Sequence, residues 1–149
     1  MIIVVLFIAL ACLCCGIAAS CGGPEGRYAG GLMLLALTIG RVSGVLDLSM
    51  ATSPAFKLVL DGCLLMAFLA IMIFSRRWWP IWIVGFQFNG VLAHFAALVA
   101  PHYTPLIYRG LESFWGIPIA VAMAVGAALD RAAAIPSEFH PRLYAGEKS

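Results

Sequence analysis

The sequence predicts an all-α integral membrane protein, a bundle of five transmembrane helices with the N-terminus outside and the C-terminus in the cytoplasm. Three observations carry that prediction. Of the 149 residues 63% are hydrophobic and only 11% charged, with a mean hydropathy of +1.01. A soluble domain carries about a quarter charged residues, so too little polar surface remains here to face water. The apolar residues also fall into five runs of about 20, the length that crosses a hydrocarbon layer of about 30 Å. Short segments rich in Gly, Pro and Arg separate the runs.

Span 1 is predicted over Met1–Ser20, without a charged side chain, and the connector CGGPEGRY follows it. Gly and Pro end helices. Span 2, Ala29–Met50, contains Arg41 and Asp47. The turn ATSPAFK leads into span 3, Phe56–Ser75, which carries Asp61; Pro54 suits the first turn of that helix. RRWWP precedes span 4, Ile81–Ala100, with Gln87, Asn89 and His94. PHYTPLIYRG leads to span 5, Leu111–Asp130. The chain thus divides into a bundle over residues 1–130 and a cytoplasmic polar tail over 131–149.

Lysine and arginine placement sets the direction, because cytoplasmic loops carry the excess. With the N-terminus outside, Arg27, Arg76, Arg77, Arg131, Arg142 and Lys148 are cytoplasmic, and only Lys57 and Arg109 face out. Ala18-Ala19-Ser20-Cys21 faintly resembles a lipoprotein cleavage box. The segment before it has no positive residue, so an uncleaved first span is expected. Cys21 then faces a reducing compartment as a free thiol. Cys12, Cys14 and Cys15 are read as small apolar filler, since adjacent helical residues point about 100° apart and make a poor metal site.

Two kinds of residue stand out. The first are interface anchors: Arg76, Arg77, Trp78, Trp79 and Trp82 cluster at one membrane edge, where amphipathic rings and arginines settle at headgroup level. The second are polar groups within spans. At about 1.5 Å per residue, Arg41 lies roughly 18 Å into span 2 and His94 about 20 Å into span 4. Asp61 lies about 6–8 Å below the outer edge in span 3. Arg41, Asp61 and His94 therefore share a layer, with Gln87 lower and Asp47 near the outer edge. Gln87, Gly90 and His94 fall at i, i+3 and i+7, on one stripe of span 4. Gly40 and Gly44 in span 2 form a small-xxx-small pair, and Gly90, Ala120 and Ala124 provide further smooth packing positions.

Two readings of the layer compete. Ionisable groups inside a membrane mark ion or proton pathways and substrate sites. The bland alternative is an Arg41–Asp61 pair that joins spans 2 and 3, with His94 donating a hydrogen bond. A small transporter would have to oligomerise, and neither broken helices nor an inverted repeat favours one. His94 is also the residue that would ligate a pigment or haem, although His102 and His140 do not lie at membrane depth to serve as a second haem ligand. His102 and Glu112 form a weaker candidate pair facing outward. No CxxCH, HExxH, GxSxG or phosphate-loop pattern occurs, and a net charge of +2 gives no nucleic-acid footprint.

The stretch from Asp61-Gly-Cys-Leu-Leu through Ser75-Arg-Arg-Trp-Trp-Pro-Ile-Trp to Gly85-Phe-Gln and His94, about the middle third of the chain, resembles a group of uncharacterised small multi-span proteins of alphaproteobacteria. A span-3 Asp, an arginine–aromatic Trp-Pro turn and a span-4 His carry the resemblance. It implies the bacterial inner membrane and a multi-span fold, and no chemistry. The expected function is then a non-catalytic accessory or structural subunit of a larger inner-membrane assembly, an energy-transducing complex among them. Its expected partners are the lipid bilayer and other integral-membrane subunits. The alternatives are a small oligomeric transporter or channel using Arg41, Asp61 and His94, and a pigment- or haem-binding protein using His94.

Overall fold

The computed structural model describes residues 2–45, 53–99 and 114–133. Among them every regular element is helical: α1 Ile2–Cys21, α2 Gly23–Val45, α3 Pro54–Phe74, α4 Trp79–Val99 and α5 Gly116–Ala132. Each predicted span overlaps one helix. Two stretches, Ala55–Phe74 in α3 and Trp79–Val99 in α4, are long and apolar enough to cross a membrane, and Val5–Cys21 in α1 is apolar but shorter.

The boundaries shift where local chemistry is stronger than hydropathy. α2 begins at Gly23 rather than at Ala29, so most of the expected connector is helix. Gly23 takes φ 63°, the left-handed region glycine enters without a steric penalty, and it turns the chain sharply between α1 and α2. Pro24 is tolerated in the first turn that follows, and Glu25 suits the positive end of the helix dipole. α3 is capped by Ser53, whose hydroxyl accepts from the Phe56 amide at 3.2 Å, with Pro54 in its first turn. α4 starts at Trp79, two residues early, which leaves only a short link after Phe74. Asp47, Tyr103, Tyr108, Glu112, His102, His140 and the tail from residue 134 lie outside the described residues.

Each helix packs on its neighbours in sequence, and α1 packs on α5, so the five close into a ring; α2 also reaches across to α5. Consecutive helices run in alternating directions. The last residues of α1 and α5 consequently meet at one end, where Arg131 Nη1 donates to the Ser20 carbonyl at 3.1 Å. The interior combines small residues on α1, α2 and α5 (Ala18, Ala29, Ala120, Ala127) with Phe68, Trp79, Ile83 and Met123. Small residues let helix backbones approach. Gly126 is the sharpest case: it faces the Trp79 side chain so closely that a Cβ there would overlap the ring's Cβ and Cγ.

Several expected packing roles change. Ala120 and Ala124 are buried in the core as predicted for a smooth face. Gly40 is exposed, and a Cβ there would meet nothing within 4 Å, so it is not a close contact between helices of this chain. The side-chain surroundings of Gly44 lie outside the described residues. Gly90 is buried, at ordinary van der Waals distance from Trp115 Cβ and Asp61 Oδ2.

Candidate functional site

The inner face of α4 carries the first polar cluster. Gln87, Gly90 and His94 are all buried on one stripe, as helical spacing requires. His94 Nε2 lies 2.8 Å from Asp61 Oδ2 on α3, and Gln87 Nε2 donates to the Asp61 backbone carbonyl at 3.2 Å. His94 and Gln87 thus grip one residue of the neighbouring helix at two points, its side chain and its main chain. The Asp61 side chain is 26% exposed, against 5% for His94. A carboxylate and an imidazole at this distance can share a proton, and each also orients the other. Trp115, stacked on Phe86 and edge-on to Phe114, covers the site beside Gly90. Among the described residues its buried indole Nε1 makes no hydrogen bond.

Arg41 is not part of this cluster. It is exposed on α2, between exposed Ile39 and Val42, and the Asp61 carboxylate is paired with His94 instead. Arg41 continues the four-residue row of buried Ala29 and Met33 and part-buried Leu37, but every residue from Thr38 to Val42 is exposed, so this turn of α2 has no face packed against the other described helices. Asn89 bonds back to the Gly85 carbonyl of its own helix at 2.8 Å. A pigment or haem metal ligated through His94 Nε2 would have to displace Asp61 from that nitrogen.

A second cluster occupies the opposite end of the ring, 15 residues or about 22 Å along α4 from His94. Here the expected anchors divide. Arg76, Trp78 and Trp82 are exposed, as anchors must be. Arg77 and Trp79 are not anchors, because both turn inward and are buried. Arg77 Nη1 donates to Asp130 Oδ2 at 2.8 Å, and its Nε lies 3.5 Å from Glu25 Oε2. Trp79 Nε1 donates to the same Asp130 oxygen at 3.0 Å. One guanidinium therefore joins the start of α2, the α3–α4 turn and the end of α5. Burial explains the inversion: two carboxylates inside the ring would be costly without a cation, and Arg77 is the one within reach.

Glu25 and Asp130 were not singled out from the sequence. The alternating helix directions supply the missing signal, since they bring Glu25, Arg77 and Asp130 to one end of the bundle. Cys14 and Cys15 are buried in the α1 core, in line with filler, whereas Cys12 is exposed and does not fill the bundle; Cys63 is exposed as well. Among the described residues no group of three or more His, Cys, Asp or Glu side chains could hold a metal. The chain matches no known protein family, curated protein or solved structure. The resemblance in its middle third therefore has no support from those comparisons.

Proposed function

We propose that the chain is a five-span membrane protein of the bacterial inner membrane, N-terminus outside and C-terminus cytoplasmic, acting as a non-catalytic subunit of a larger membrane assembly. One observation carries this reading. The two helices long and apolar enough to cross a membrane, α3 and α4, bury only 11% and 17% of their apolar windows inside the chain. Val59, Met66, Ile73, Phe88, Phe95 and Val99 point outward from them. Such surface is stable against lipid tails or other helices and would aggregate in water. The interior supports the same reading, because its ionisable side chains are spent on ties between helices. The orientation is supported by the basic residues Arg27, Arg76 and Arg131, which share the end that holds the α3–α4 turn.

Purification from native membranes in a mild detergent, followed by native mass spectrometry, tests the proposal. A heteromeric particle of fixed stoichiometry is expected. A lone monomer or a plain homodimer would overturn it.

A second reading rests on the 2.8 Å contact between Asp61 and His94. In this reading a small oligomeric transporter or channel passes a proton or ion along the pair, with Arg41 left outside. Reconstituted liposomes should then show a flux that Asp61→Asn abolishes. Unchanged flux, or none in the parent protein, removes it.

A further inference from the structure

The outer face of α2 carries an arrangement that the chain itself does not complete. Gly31, Leu34, Leu35, Thr38, Arg41 and Val42 are all exposed. Their spacing of three, four, seven, ten and eleven residues from Gly31 places them on one stripe, the pattern of a helix–helix seam. The Thr38 hydroxyl is folded back onto the Leu34 carbonyl at 2.7 Å. Arg41 makes no hydrogen bond or ion pair among the described residues. It lies 16 residues, or about 24 Å, along α2 from Glu25, at nearly the height of the Asp61–His94 pair. An arginine at such depth costs about 2.5–3.5 kcal/mol when it faces hydrocarbon.

Resting on the reading of the chain as a membrane subunit, we infer that this face docks a transmembrane helix of a different protein, and that a carboxylate on that helix pairs with Arg41. Charge selects the occupant. Two copies of one chain in a membrane share an orientation, so a two-fold contact through this face would bring Arg41 against Arg41 at equal depth, and like charges repel. A carboxylate instead accepts two parallel N–H bonds from the guanidinium. Gly31, within the stripe and with no atoms near the position of a Cβ, leaves room for a close approach. A single ionic pair within an apolar seam also fixes register.

The test places a photoreactive amino acid at Leu35 or Val42 in the full chain, irradiates the protein in its native membranes and identifies the adducts. The expected product is one foreign apolar segment that contains Asp or Glu. Arg41→Leu should lower its yield about tenfold, and exchanging the two charges between the chains should restore it. An unchanged unfolding midpoint for Arg41→Leu excludes misfolding as the cause. Adducts to lipid, to a second copy of the chain, or to a foreign segment whose yield Arg41→Leu leaves unchanged would each overturn the inference. If a heteromer persists while those adducts appear, only the docking face is wrong; if the protein is a monomer, the subunit reading fails with it.

Discussion

The two polar clusters use similar chemistry in opposite settings. At the Arg77 end, the side chains of Glu25, Arg77 and Asp130 are 1–5% exposed, and they tie together three parts of the ring that are distant in sequence. At the other end, Asp61 and His94 join two consecutive helices, and the carboxylate is a quarter open. Breaking a buried pair leaves an uncompensated charge in a low-dielectric interior, whereas a part-exposed group can find water or another partner. The Arg77 cluster therefore acts as the fastening of the bundle. The Asp61–His94 pair is the place where the fold can tolerate change.

The largest effect should come from separating the fastening charges. Asp130→Ala or Arg77→Ala should lower stability by about 3–5 kcal/mol, read as unfolding in detergent by the fluorescence of the buried Trp79. Replacing Glu25, Arg77 and Asp130 together by apolar residues of similar volume should cost less than either single change, because no charge is then stranded. If the single variants unfold like the parent, the two ends do not differ as described.

Next in size is the steric fit at the same end. Gly126→Ala forces Trp79 away from α5 and should cost about 1–3 kcal/mol. The same substitution at exposed Gly40 should be neutral or slightly stabilising, since alanine is the better helix former and open space surrounds the site. Equal costs at the two positions would contradict the packing assigned to them.

The open end should respond weakly. Asp61→Asn retains a hydrogen-bonding group opposite His94 and should cost about 1 kcal/mol, near the size of polar contacts measured between membrane helices. A cost as large as that of Asp130→Ala would place the fastening at both ends. Arg41→Leu should change the stability of the isolated chain least, by about 0.5 kcal/mol or less, the range for surface positions. A loss well above that range would mean that Arg41 has a structural partner within its own chain.

Helix number was legible from composition and run length, because a chain this poor in charge must satisfy its backbone within helices wherever lipid surrounds it. The stripe of Gln87, Gly90 and His94 was legible too, since periodicity alone puts the three on one face. The pairing of Asp61 was misjudged for a definite reason. Depth along a helix follows from counting residues, but the direction a side chain takes around the axis depends on which face packs inward. Arg41 and His94 stand at similar heights on helices on either side of α3, but α4 packs a face inward at that height, with Ala93 and His94 buried, whereas Thr38 to Val42 of α2 are all exposed.

The same limit governs RRWWP. Its residues are alike in type and adjacent in sequence, so nothing local distinguishes Arg76 and Trp78, which stay outside, from Arg77 and Trp79, which turn in. That choice was made by Asp130 and Gly126, about fifty residues away, which supply a carboxylate and a hollow for the ring. Composition and periodicity were enough to count the helices and order them along the chain, because both are properties of single segments. Which charges are matched inside the bundle and which are left outward for a partner depended on how the segments rotate against one another, and that is set by contacts between residues far apart in sequence.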